Sequence, residues 1–96
     1  MKINLQSLHF TASDQLKQFV NDKVSKLDNF YEKIISADVT LFAEDVKIKE
    51  NKTCEIRLVV PGNDDFVKKS AESFEAAILT SVETLQKILR RKKEKY

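Results

Sequence analysis

A chain of 96 residues, 42% hydrophobic and 33% charged, is one globular domain over residues 1–96, with room for one sheet and one or two helices; disorder is excluded. No apolar run is long enough to span a membrane, the alternating MKINLQSLHF is not expected to be a signal peptide, and the lone Cys54 excludes an internal disulfide framework and fits a reducing cytoplasm. The net charge of +2 hides an asymmetry, because residues 1–86 carry 11 Lys/Arg against 14 Asp/Glu while residues 87–96 carry 6 against 1.

Met1, Ile3 and Leu5 alternate with Lys2, Asn4 and Gln6, the pattern of a half-buried strand, and the phase slips near Ser7, where a bulge or the strand end belongs. Ser13 caps a first helix expected from about Asp14 to Tyr31, with Asp14 in its first turn. Its stripe of Leu16, Phe19, Val20, Val24, Leu27, Phe30 and Tyr31 covers an arc of about 140°. Lys23 falls inside that arc and Lys26 just beyond its Phe19 edge. Lys23 is either a stem lying over apolar surface, with its ammonium in water, or a cation aimed at a phosphate.

A second strand is expected over Ser36 to Asp45, with Val39, Leu41 and Ala43 on one face and Phe42 an isolated aromatic on the other. Val46 to Lys52 is charged enough to be a hairpin connection or a mobile loop. A third strand, Thr53 to Val60, puts Cys54, Ile56, Leu58 and Val60 inward, which makes Cys54 a small core residue. Pro61-Gly62-Asn63-Asp64 reads as a tight turn into a fourth strand from about Asp65 to Ala71. Ser73 then caps a second helix with Ala77, Ile78, Ser81, Val82, Leu85, Ile88 and Leu89 on one face. After Leu89 the apolar residues stop, and Arg90, Arg91, Lys92 and Lys93 surround the axis.

This order of elements predicts an α+β fold. A right-handed crossover makes the first two strands parallel, an antiparallel meander follows, and both helices cover one face of a four-stranded sheet in a two-layer β-α-β-β-β-α sandwich. The other face, with Asn4, Thr40, Glu55 and Arg57, is expected to be solvated.

The chain has one His, one Cys and one Gly. His9 has no partner that spacing would bring beside it, no Cys/His cluster can hold a metal, and no nucleophile elbow or glycine-rich phosphate loop is present. Asp64-Asp65 is turn chemistry before it is a cation site. The expectation is therefore a non-enzyme with no cofactor. The basic end is either a solvated terminus or a polyanion contact, where clustered cations gain by releasing counterions.

Three features resemble the ribosome hibernation-promoting factor and ribosome-associated inhibitor family. They are MKINLQSLHF followed by a capped helix with FVNDKVSKLDNFY, then SAESFEAAI at residues 70–78, then Leu85, Leu89, Lys93 and Lys95 at the end. The likeness covers nearly the whole chain. It departs at Ser7-Leu8, where the family has Gly-His, at Ser73-Phe74-Glu75, where it has Asp-Met-Tyr, and at Leu79, where it has an acid. The resemblance implies a cytoplasmic bacterial protein that binds the small ribosomal subunit under stress, lies across the messenger and transfer RNA sites and stops translation. It implies Lys23, Lys26, Lys87, Arg90, Arg91, Lys93 and Lys95 as residues facing 16S-type rRNA, and Lys92 joins them on charge alone. No small-molecule substrate and no membrane partner are implied. The chain resembles the short form that promotes ribosome pairing, with a second, dimerising factor as a further partner. A different class of function is a non-ribosomal interaction module that docks an acidic protein through the basic helix.

Overall fold

The computed structural model describes residues 1–45 and 47–94, without the side chains of Lys93 and Glu94. Its elements run β1 (Lys2–Ser7), α1 (Asp14–Ser25), a 3-10 turn (Lys26–Asn29), β2 (Ser36–Ala43), β3 (Lys52–Val59), β4 (Asp65–Ala71) and α2 (Phe74–Glu94). The sheet order is β1-β2-β3-β4, with β1 and β2 parallel and the other pairs antiparallel. This is the expected α+β sandwich. The row Leu5, Val39, Ile56, Val67 crosses all four strands, and the last three are buried beneath Val20, Val24, Ile78, Val82 and Leu85 of the helices.

Both serine caps form. The Ser13 hydroxyl accepts from the Leu16 N–H and the Ser73 hydroxyl from the Ala76 N–H, each at 3.1 Å, satisfying N–H groups that a helix start leaves unpaired. Strand β1 ends where the alternation slips. Ser7 Oγ donates to the Phe10 carbonyl at 2.9 Å, and His9 takes φ 66°, a left-handed conformation unusual outside glycine. His9 is thus the exposed residue of a chain reversal.

The α-helical hydrogen bonding of α1 stops at Ser25, earlier than expected, and the chain tightens into the 3-10 turn. Leu27 stays fully buried and Phe30 and Tyr31 half-buried, so the apolar stripe continues through the change of winding. Strand β2 stops two residues short of the expected Asp45, and β3 is shifted one residue toward the N-terminus. The connection between them is a hairpin. Glu44 N–H donates to the Asn51 carbonyl at 2.7 Å, and Asp45 Oδ1 accepts from the Lys47 N–H at 2.9 Å.

Cys54 is buried in the inner row of β3, and removal from water pushes its thiol pKa up to about 11, against the opposing effect of the Ser81 hydroxyl. On the uncovered face two cations lie over rings, one of them also paired with an acid. Lys68 sits 5.7 Å from the Phe42 centroid and 2.9 Å from the Glu44 carboxylate, and Arg57 sits 6.0 Å from the centroid of exposed Phe66. Hydrogen bonding to Glu44 raises the Lys68 pKa.

Candidate nucleic-acid interface

The helices lie side by side and run parallel. At one end, Ser13 and Phe19 of the α1 segment share a depression with Glu75 at the start of α2; at the other, Arg90 of α2 reaches Phe30 just past the 3-10 turn. At 1.5 Å per residue α2 is about 32 Å long and α1 about 18 Å, so the C-terminal turns of α2 extend beyond α1.

Arg90 joins the two basic groups. Its guanidinium lies 5.2 Å from the centroid of the Phe30 ring, a distance for cation–π contact. Phe19 and Lys23 lie four residues apart on one side of α1, Lys26 opens the 3-10 turn and Phe30 follows it. Phe30 meets Arg90 and Phe19 shares a depression with Glu75, so this side of the segment is turned toward α2. Lys23 is half-buried, its ammonium 5.6 Å from the Phe19 centroid, whereas Lys26 is exposed. The stem of Lys23 therefore lies over apolar surface while its charge stays on the α2 side, which accommodates both readings of that residue.

Lys87, Arg90 and Arg91 are exposed. Among the described residues, Lys23, Lys26, Lys87, Arg90 and Arg91 form no ion pair, in contrast to Lys49 with Glu72 and Lys68 with Glu44. Lys92 differs from its neighbours. Its ammonium is turned back against the Asp65 carboxylate and donates to the Asn63 carbonyl at 3.4 Å, so its expected place among outward cations is not what the structure shows. The reason is angular, since residue 92 is two turns beyond Leu85 and faces the sheet. Lys95 and the Lys93 side chain lie outside the described residues.

Two participants in this site carry no local mark of it in the sequence. By its spacing Phe30 is a core residue, yet it carries Arg90; in sequence Asp65 reads as a turn residue, yet it holds Lys92. The seven-residue step from Leu85 to Lys92 is a signal that could have found the second pair. Next to Phe30 an open groove of about 770 Å³ is lined by Asp28, Asn29, Phe30, Tyr31, Glu32, Lys33 and Pro61. Two carboxylates against one lysine make its lining less suited to a phosphate than the helix edge. Among the described residues no three His, Cys, Asp or Glu side chains are grouped to hold a metal, and no helix is long and apolar enough to cross a membrane.

Residues 3–96 match the family described as sigma 54 modulation protein / S30EA ribosomal protein. The chain is 29% identical over 93 residues to a ribosome hibernation promotion factor of Deinococcus radiodurans, covering 96% of this chain and 49% of that protein, so it spans about half that relative's length. A ribosome hibernation promoting factor of Pseudomonas putida is 25% identical over 95 residues, with 99% and 89% covered. An 86-residue stretch is 31% identical to part of a dipeptidyl-peptidase 7 of Capnocytophaga gingivalis, but it amounts to 12% of that protein. Among solved structures, the protein Y N-terminal domain of Thermus thermophilus superposes with a TM-score of 0.80 at 24% identity, covering 95% of this chain and 98% of that one. A ribosomal subunit interface protein of Coxiella burnetii gives 0.86 at 14%, covering 98% and 99%. These likenesses show the fold.

Proposed function

Because this chain belongs to the sigma 54 modulation protein / S30EA ribosomal protein family, we propose that it binds the small ribosomal subunit through rRNA, occupies the messenger and transfer RNA channel and represses translation by occupancy, without catalysis. The observation that carries this reading is Arg90 on Phe30, which sets the last turns of α2 against the end of the segment that carries Lys23 on α1 and Lys26 in the 3-10 turn. Lys87 and Arg91 extend this set of cations, and Lys93 and Lys95 follow in sequence. Such a surface suits the phosphates of a folded RNA, read for position and shape. The aromatic rings near it are half-buried or already under a cation, so stacking of splayed bases has little support. The role places the protein in the cytoplasm, with a second factor supplying any pairing of ribosomes.

Co-sedimentation with purified small subunits at low and high salt tests the reading. Association at low salt that weakens steeply at high salt is expected, together with competition by transfer RNA. A protein that stays at the top of the gradient under both conditions refutes it. Capture of an acidic protein instead would favour the interaction-module alternative.

A further inference from the structure

Lys92 and Asp65 stand where two core-facing rows run out. On α2, Leu85, Ile88 and Leu89 are followed at the same spacing by Lys92, about 20° from Leu85 around the axis. Across the sheet, Ile3, Ala37 and Leu58 are followed in register by Asp65. The two side chains keep 26% and 15% of their exposure, and Asp65 Oδ2 is sealed from solvent with no aligned hydrogen-bond donor. The ammonium of Lys92 is the counter-charge placed against it. A carboxylate in that position is costly without such a partner. The same ammonium reaches the Asn63 carbonyl, so Lys92 ties the last turns of α2 to the turn between β3 and β4. Beyond Leu89 no buried apolar residue of α2 does this.

We propose that Lys92 is a positioning residue for RNA binding and not a phosphate ligand; this rests on the rRNA-binding reading. Its contact with Asp65 holds the end of α2 down on the sheet and keeps Arg90 and Arg91 in fixed relation to Lys23 and Lys26. A helix end without that tie frays, and its arginines must then be ordered when RNA binds, which weakens affinity. The opposite arrangement is an autoinhibitory one, in which Asp65 masks a lysine that RNA recruits. The two differ in sign for one nearly isosteric change. Asp65→Asn removes a negative charge from the protein, so general attraction and unmasking both predict tighter binding, whereas loss of positioning predicts weaker binding.

The experiment measures affinity for purified small subunits across salt concentrations for the full chain and its variants, with amide hydrogen exchange over residues 86–92 of the free protein. The positioning role predicts that Asp65→Asn weakens binding several-fold and speeds that exchange. Lys92→Gln should weaken binding with the salt dependence unchanged, whereas a lost phosphate contact lowers the slope by roughly one unit. The charge swap Asp65→Lys with Lys92→Asp should bind more tightly than Lys92→Asp alone. Binding by Asp65→Asn as tight as the wild type or tighter, unchanged exchange, or a slope reduced in Lys92→Gln overturns the proposal. A wild-type protein that binds no subunits at any salt overturns the rRNA reading itself, and the positioning role with it.

Discussion

Replacing Arg90 tests the joined surface at the residue that joins it. The guanidinium is solvent-exposed and lies 5.2 Å from the Phe30 centroid. An exposed contact of this kind contributes about 0.5–1 kcal/mol. In a domain of this size, a loss of that order lowers the melting temperature by roughly 2–8 °C. The effect on binding has a different signature. If Arg90 neutralises one phosphate, Arg90→Gln lowers the slope of log affinity against log salt by about 0.7–0.9 unit. Between 50 and 200 mM salt the variant then loses about threefold less affinity than the wild type does. Arg90→Lys keeps the charge and should keep the slope, but gives up the guanidinium contact with Phe30 and binds somewhat more weakly. Phe30→Leu should behave likewise, because it removes the platform and leaves the cation. The assay is small-subunit binding at four or five salt concentrations beside a thermal melt of each variant. A slope unchanged by Arg90→Gln would refute the reasoning. So would a melting point lowered far beyond what one exposed contact supplies.

Three further outcomes follow from the same geometry. The double change Lys23→Gln with Lys26→Gln should weaken subunit binding and lower the salt slope by one to two units, with thermal stability nearly unchanged; a melt that collapses with no change in slope would assign these lysines to packing alone. Leu85→Ala empties a fully buried position between α2 and the sheet and should cost about 2–5 kcal/mol, measurable as a lower midpoint in urea. The Cys54 thiol, raised from an ordinary value of 9.0 to about 11 by burial, keeps its proton in the folded chain at a pH where the unfolded chain has released it. The stability that depends on this is whole below about pH 9 and is lost as pH rises toward 11, by roughly 3 kcal/mol in all. Denaturant titrations from pH 8 to 11 should therefore show a steeper decline for the wild type than for Cys54→Ala, and parallel curves would contradict it.

Much of this fold is legible in the sequence because its signals are local and agree with one another. Alternation in Met1 to Gln6, the serines before each helix and the Pro61-Gly62 turn each specify one element, and their order leaves one sheet topology. What escaped the sequence depends on closure geometry. Periodicity cannot distinguish an α-turn from a 3-10 turn when Leu27 is buried either way, so it runs the first helix on to Tyr31 where the α-helical winding stops at Ser25. Alternation carries β2 on to Asp45, since charge alone does not show where the hairpin bond from Glu44 to Asn51 will form. Of the site, the exposed cations follow from helical spacing, but the partners that hold two of them do not. Phe30 and Arg90 are sixty residues apart in the chain, and Asp65 and Lys92 twenty-seven, so each meeting requires the packed sheet.

The strand order has a consequence for how the chain is made. Each strand pairs with its neighbour in sequence, and no strand is inserted between two that are already paired. The longest closure between strands is the crossover that brings β2 beside β1, and after it each new strand adds to the growing edge. Loop-closure entropy is therefore met in small steps, a condition that favours fast folding. Synthesis proceeds in the same direction as the sheet grows, so β2, β3 and β4 can each find a partner strand that has already emerged. The helix with the basic end comes last, onto a sheet that is already complete.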